Sequence, residues 1–156
     1  MTRFYGIDEA NEALPDVERI LLDLRDQRAE LIRLRDAVLA ASRPDASGHD
    51  APSGVEAPAA GDGEADLDAS GPRAAAARRL MRLRMQGLID QMQAGVTRLV
   101  EREVTLREIE AGLIDFPALA SGRQIWLCWR LGEGDIEWWH ELDEGFAGRR
   151  RLADLT

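Results

Sequence analysis

The sequence contains no lysine, since all twenty of its basic residues are arginine. This excludes catalysis by a lysine amine, whether through a Schiff base or a phosphate-binding loop. The single cysteine, Cys128, excludes an internal disulfide framework and a zinc site with several cysteines. No apolar run approaches the roughly 18 residues that a membrane helix needs, and no stretch near residue 1 has the pattern of a signal peptide. We therefore expect a cytoplasmic protein that does not enter a membrane.

The common motifs of catalysis are also absent. No glycine-rich phosphate loop, Ser/His/Asp array or paired-histidine motif occurs in the sequence. The length of 156 residues suits one domain, and the net charge of −9 argues against a protein whose main role is to coat nucleic acid. On the basis of motifs we therefore assign no catalytic residue, no bound metal and no cofactor.

Residues 42–72 differ in composition from the rest of the chain. They are mainly Ala, Gly, Ser, Pro and Asp, with seven acids against one arginine, a net charge of −6. Such a stretch cannot bury enough apolar surface to offset the entropy lost on ordering. We predict a disordered acidic loop inserted into a single domain, residues 1–156, because the cost of closing a loop grows only slowly with its length.

A helical arm is predicted on each side of this loop, over residues 8–41 and 73–103. In the first arm, apolar residues recur at the spacing of helices that pair with another helix: Val17, Ile20, Leu24, Leu31, Leu34 and Val38. The second arm has a similar set: Met81, Met85, Leu88, Met92 and Leu99. Pro15 is expected at the first position of the main helix, after a short turn capped by Asp8. Together the arms predict a long, antiparallel, coiled-coil-like helical hairpin.

Residues 104–156 are predicted to form a small antiparallel sheet. Six of the eight aromatic residues lie here. Two extended segments, 124–131 and 136–142, flank a glycine-containing turn and favour a β-hairpin, and residues 112–117 suggest a third strand. A sheet of this size needs the helices for its stability. The predicted fold class is therefore α+β.

The C-terminal region also carries an ordered series of short motifs. They occupy residues 112–118, 122–123, 127–130, 132–133, 139–140 and 145–149, and residues 7–15 add an opening motif. The series resembles a prokaryotic family catalogued as domain of unknown function 2203, over the whole chain except the acidic loop. The resemblance implies a shorter segment where this chain has its acidic loop, so the loop is a departure from the family pattern. The resemblance implies the architecture and brings no established activity.

The pairing of the two extended segments decides whether Cys128 and His140 can act together. The register that best separates apolar from polar residues gives a cross-strand ion pair. It pairs Trp129 with Trp138, Arg130 with Glu137 and Leu127 with His140. Cys128 and His140 then lie on opposite faces, where they cannot share a metal. We expect Cys128 to be an unreactive, half-buried thiol, and His140 to be a packed histidine bonded to backbone or to an acid.

The same region supplies the candidate contact residues. In the predicted register Trp126 and Trp139 share a face, and packing of that face onto the helical hairpin is the favoured interpretation. The alternative is that the two tryptophans form, with Arg123 and Arg130, a stacking platform for a nucleotide or a partner side chain. The full set of candidates for contact with a ligand or partner is Arg123, Trp126, Cys128, Arg130, Glu137, Trp139, His140 and Arg149.

These patterns favour a non-enzymatic interaction or scaffold protein. Its hairpin would bind another protein or a second copy of itself, with Trp139 as an anchor. One alternative is a small-ligand or metal site in the region of Cys128, Arg130, Trp139 and His140. A second is RNA contact through arginine clusters at residues 73–84 and 149–151. We favour screening of the first cluster by the adjacent acidic loop over nucleic acid as its partner.

Overall fold

The computed structural model describes residues 2–42 and 71–155. The predicted disordered loop, residues 42–72, therefore lies almost wholly outside the described residues. Two long helices, α1 (Ile7–Ala41) and α2 (Pro72–Glu101), precede a sheet of five strands. The predicted α+β class, with a helical hairpin and a C-terminal antiparallel sheet, is confirmed.

Helix α1 begins earlier than the sequence predicts. It starts at Ile7, behind an N-cap at Gly6 that has no side-chain hydrogen bond, and it continues through Pro15. The expected short turn capped by Asp8, with a new helix starting at Pro15, is therefore wrong. A proline removes one hydrogen bond from a helix. The neighbouring turn is held in place because its apolar face, including Leu14, is buried in the core.

The two helices pack antiparallel to each other. Gly95 of α2 lies against Leu24 of α1, so closely that a Cβ atom at Gly95 would come within 3.0 Å of the leucine side chain. Further from the sheet, Arg84 forms an ion pair with Glu30. The fully buried residues of the hairpin are Ala10, Leu14, Val17, Ile20, Leu21 and Leu24 in α1, and Leu88, Gly95 and Leu99 in α2.

The outer half of the hairpin contains no fully buried residue. Every residue of 25–41 in α1 and of 72–87 in α2 is partly or fully exposed. We call these two segments together the distal arm. Because the heptad pattern continues through them, pairing of the two helices covers only part of their apolar surface.

The sheet is an antiparallel meander in which neighbouring strands follow one another along the chain. The strands are β1 (Thr105–Glu108), β2 (Leu113–Ala120), β3 (Arg123–Arg130), β4 (Trp138–His140) and β5 (Arg150–Arg151). Short 3₁₀ helices cover Phe146–Gly148 and Leu152–Asp154. The strands predicted over 112–117 and 124–131 correspond to β2 and β3. Only residues 138–140 of the segment predicted over 136–142 belong to a strand.

One face of the sheet, the inner face, packs on the helices. Its buried side chains join those of the hairpin in one core: Ile114, Phe116, Ile125, Leu127, Trp129 and Trp139. Tyr5 extends this core beside β2, because its N–H donates to the carbonyl of Pro117 at 2.7 Å and its ring meets that of Phe116 edge-on, with 5.0 Å between the centroids. The side chain of Asn11 accepts a hydrogen bond from the N–H of Ile136 at 2.7 Å. These contacts fix the sheet against α1.

The pairing of β3 with β4 differs from the predicted register by one residue. The observed pairs are Trp126 with His140, Leu127 with Trp139, and Cys128 with Trp138. The predicted pairs, Trp129 with Trp138, Arg130 with Glu137 and Leu127 with His140, are therefore wrong. Because successive side chains of a strand alternate between faces, the shift brings Cys128 and His140 to the same face.

The connection between β3 and β4 explains this shift. The predicted segments leave only residues 132–135 for the turn, whereas residues 131–137 connect the observed strands. The indole N–H of Trp129 donates to the carbonyl of Gly134 at 2.8 Å. Ile136 is buried and its N–H is bonded to Asn11 of α1. The observed register is therefore accompanied by contacts with a helix that is distant in the sequence. The sequence pattern of the strands alone does not reveal such contacts.

Candidate functional site

The outer face of the sheet carries three buried polar side chains. Asp115 on β2 pairs with Cys128 on β3, and His140 on β4 lies diagonally across from Cys128. Each of the three is only 1% exposed. A carboxylate oxygen, the sulfur and a ring nitrogen all lie within 4.8 Å of one another. We call these residues the Asp–Cys–His cluster.

Hydrogen bonds hold the ring of His140 at both nitrogens. Nδ1 lies 2.8 Å from the backbone carbonyl of Glu141, and Nε2 lies 3.0 Å from Oδ2 of Asp115. A carbonyl oxygen only accepts, so the geometry assigns a hydrogen to Nδ1. A second proton must lie between Nε2 and Oδ2 for that contact to be a hydrogen bond. His140 is therefore packed, as expected, and it contacts both a backbone carbonyl and an acid.

The two oxygens of Asp115 differ in their surroundings. Oδ2 accepts from Nε of Arg107 at 2.7 Å as well as contacting His140. Oδ1 is buried and has no hydrogen-bond partner among residues 2–42 and 71–155. A buried carboxylate oxygen without a partner is costly, so it calls for a specific explanation.

Cys128 is fully buried rather than half-buried. Burial in the sheet, followed by the charge of Asp115, raises the pKa of its thiol to about 12, and Arg149 acts in the opposite direction. The thiol is therefore protonated at neutral pH. Because both nitrogens of His140 are engaged elsewhere, the ring is not free to take the thiol proton as a general base. This arrangement supports the expectation that Cys128 is not a nucleophile.

Alkylation kinetics test this expectation for Cys128. Relative to the ordinary thiol value of 9.0, the raised pKa lowers the thiolate fraction at pH 8 by about 10³-fold. We expect iodoacetamide to modify the native protein at least about 10²-fold more slowly than the protein in guanidinium chloride. Equal rates would contradict the burial of the thiol.

The raised pKa of Cys128 also makes the free energy of unfolding depend on pH. The contribution of the buried thiol to stability is complete below about pH 9, and it is lost as the pH rises towards 12. Cys128→Ala should therefore flatten the loss of stability above pH 9.

The predicted stacking platform does not form. Trp126 and Trp139 lie on opposite faces of the sheet, because Trp126 pairs with His140 whereas Trp139 pairs with Leu127. Trp139 is only 4% exposed and belongs to the core. It is therefore unsuited to anchor a partner, and Trp139→Ala would remove core packing. The indole nitrogen of Trp126 is buried and has no partner among the described residues.

The predicted charged contact residues are distributed around the cluster rather than within it. Arg123 donates to Glu141 at 2.6 Å, and this contact holds the pKa of the Glu141 carboxyl below its usual value. Arg130 lies over the ring of Phe146 at 5.4 Å. Glu137 contributes its backbone carbonyl, which accepts from the N–H of Leu152 at 2.8 Å. None of these contacts reaches the Asp–Cys–His cluster.

Arg149 is the exception among these charged residues. It is close enough to Cys128 to influence the pKa of the thiol. Its guanidinium pairs with Glu133 at 2.7 Å and lies 4.6 Å from the ring centroid of Trp138. Only 12% of its side chain is exposed. Arg149 is therefore a largely buried, ion-paired neighbour of Cys128.

Sequence reasoning missed two members of this site, Asp115 and Arg107. Asp115 is an acid inside an otherwise apolar predicted strand, and that position was the available signal. The role of Arg107 had no such signal, because it depends on a bulge where β1 pairs with β2 between Leu106 and Glu108.

The two arginine clusters have different surroundings. Arg150 and Arg151 form β5, where their guanidinium groups lie 5.2 Å from the ring of Trp139 and 5.0 Å from that of Trp138. The other cluster lies on the distal arm of α2. There Arg79 and Arg82 line a polar groove of about 410 Å³ at the tip of the hairpin.

The fold and the site define an α+β protein in which a helical hairpin packs on an antiparallel meander with a buried polar cluster. The chain belongs to the family described as Uncharacterized conserved protein (DUF2203), whose profile matches residues 3–152. The resemblance found in the motifs is thereby confirmed. No curated protein and no solved structure matches the chain. Within residues 2–42 and 71–155, no helix is both long and apolar enough to span a bilayer.

Proposed function

We propose that this protein is a non-enzymatic interaction module whose distal arm binds an acidic partner protein. The observation that carries the proposal is the coincidence of exposed leucines and positive charge on a part of the hairpin outside the core. Three leucines of the distal arm are prominently exposed: Leu39 by 56%, Leu80 by 69% and Leu83 by 64%. Leu80 and Leu83 are three residues apart, so they are neighbours on one surface of α2.

The charge of the distal arm supports an acidic partner. Residues 72–87 contain five arginines and no acid, and residues 25–41 contain four arginines and three acids. The net charge of the distal arm is thus +6, although the whole chain carries −9. Exposed apolar side chains surrounded by one sign of charge fit an amphipathic helix of the opposite sign. Like charges disfavour the pairing of two distal arms, so a second copy of the chain is a less suitable partner for this surface than an acidic protein.

The test compares leucine variants inside and outside the distal arm. We expect the double variant Leu80→Ser/Leu83→Ser to lose at least about 10-fold in retention of a stoichiometric protein captured from lysate by the full chain. Leu119→Ser is the matched control, because Leu119 is similarly exposed (58%) but lies on β2. Crosslinks from the bound protein should fall on residues 72–87.

Three outcomes would contradict the proposal. Equal retention by both variants would remove the leucines from the interface. Recovery of RNA in place of protein, with a steep dependence on salt, would favour the arginine cluster as a phosphate site. A dimer of the chain that dissociates in the leucine variant would make a second copy the partner.

A further inference from the structure

We propose that Asp115, Cys128 and His140 bind a divalent transition-metal ion of the zinc class. This inference is independent of the distal arm and goes beyond the proposed function. It also revises the expectation that Cys128 and His140 cannot share a metal, which depended on the incorrect strand register.

The distances within the cluster suit one ion. Zinc lies about 2.3 Å from a thiolate and about 2.0–2.2 Å from a ring nitrogen or carboxylate oxygen, which places two ligands of a tetrahedral ion roughly 3.4–3.6 Å apart. One ligand atom from each of the three residues already lies within 4.8 Å of the other two. To reach the spacing of a bound ion, ligand atoms at this upper limit would have to approach one another by roughly 1 Å.

The hydrogen bonds around the cluster resemble those around bound metals. A histidine that binds a metal through one nitrogen commonly donates the other N–H to a backbone carbonyl or carboxylate. Nδ1 of His140 is engaged in this way with the carbonyl of Glu141, which leaves Nε2 to face the cluster. Glu141 itself directs its carboxylate away, towards Arg123.

The unpartnered oxygen of Asp115 is a second, independent observation. Arg107 holds Oδ2 through a hydrogen bond of 2.7 Å, while Oδ1, on a side chain that is 99% buried, has no partner among the described residues. A metal ion would satisfy this oxygen. In that arrangement Arg107 would orient the carboxylate from outside the coordination sphere, as hydrogen-bond donors to metal-binding carboxylates commonly do.

Charge also balances when a metal enters. The thiol proton of Cys128 and the proton shared by His140 and Asp115 leave, and a divalent ion takes their place, so the net charge of the buried cluster does not change. Deprotonation of a coordinating thiol by the metal is the usual chemistry of such sites. The neighbouring charge of Arg149 is compensated by Glu133 at 2.7 Å.

The ligand types define the class of metal. Thiolate and imidazole ligands suit zinc, cobalt and iron, whereas magnesium and calcium prefer oxygen ligands alone. Within residues 2–42 and 71–155, the cluster supplies three ligands. A fourth position is then left for water or another small ligand, as in three-ligand zinc sites.

The experiment uses Co²⁺ as a probe of the full chain after treatment with a chelator. We expect one equivalent of Co²⁺ to bind and to produce a thiolate-to-cobalt absorption band, which one equivalent of Zn²⁺ then removes. Cys128 is the only cysteine in the sequence, so the band reports this residue without any variant. Saturating Zn²⁺ should also raise the thermal midpoint of unfolding.

Two histidine variants provide the matched comparison, since the chain contains only His49 and His140. His49→Ala should bind Co²⁺ as the unaltered protein does, because His49 is not one of the three proposed ligands. His140→Gln should bind Co²⁺ at least about 100-fold more weakly and show no stabilisation by Zn²⁺.

Absence of stoichiometric Co²⁺ binding to the unaltered protein would overturn the proposal, and so would binding without the thiolate band. Binding lost in His49→Ala but kept in His140→Gln would have the same meaning. If His140→Gln does not fold, the absorption band of the unaltered protein decides.

Discussion

Replacing Asp115 with leucine should lower the free energy of unfolding by about 3–5 kcal/mol in metal-free buffer. The carboxylate is 1% exposed and is the hydrogen-bond partner of both His140 and Arg107. Its removal leaves the buried Nε2 of His140 without an acceptor, whereas Arg107, which is 41% exposed, can turn towards water. Chemical denaturation monitored by tryptophan fluorescence measures this loss.

A double variant separates the loss of a partner from a general intolerance of leucine at this position. Replacing both Asp115 and His140 with leucine removes both buried polar groups together. We expect this double variant to recover most of the stability lost in Asp115→Leu, because replacing a buried polar pair by apolar groups is often close to neutral. A double variant that is less stable than Asp115→Leu would contradict the pairing of His140 with Asp115.

Gly112→Ala should destabilise the protein by about 2–4 kcal/mol. Gly112 precedes β2 with a φ of +65°, which side chains disfavour, and a Cβ atom there would lie only 2.5 Å from Cβ of Leu131. The close approach is fixed by a hydrogen bond of 3.0 Å from the N–H of Leu131 to the carbonyl of Gly112. The connection after β3 would therefore have to move away from β2.

Two other glycines are the controls for this substitution. Gly132 has a φ of +98° but open space around it, so Gly132→Ala should show the backbone cost alone, about 1–2 kcal/mol. Gly87 lies inside α2 with nothing near it, so Gly87→Ala should stabilise the protein by about 0.5–1 kcal/mol. Thermal or chemical unfolding of all three variants measures the order of these changes in stability. Equal effects at Gly112 and Gly132 would show that the contact with Leu131 is unimportant.

Much of the fold could be predicted because it depends on local patterns. The seven-residue spacing of Val17, Leu24 and Leu31 predicted the first helix, and aromatic extended segments predicted β2 and β3. The predicted start of the main helix at Pro15 was wrong. The preference of proline for the first position of a helix was applied without knowing that the turn around Pro15 packs into the core. The register of β3 with β4 was wrong for a similar reason, since a long connection bonded to Asn11 replaced the expected tight turn.

The candidate site was predictable only in part. Cys128 and His140 stood out by residue type, but whether they share a face depends on a single residue of register. Asp115 completes the cluster from a strand that precedes β3 in the chain and was treated as apolar. Trp139 was assigned to a surface, yet it lies in the core because its strand partner is Leu127.

The contact of α1 with the sheet has a consequence for synthesis on the ribosome. The apolar face of α1 is made before much of what covers it, including the loop residue Ile136 that bonds to Asn11. About 100 residues separate the end of α1 from the end of β4, which corresponds to about 5–20 s of translation at 5–20 residues per second. Until α2 is made, α1 has no native partner, and the part of its apolar face that the sheet region covers stays exposed until β4 is complete.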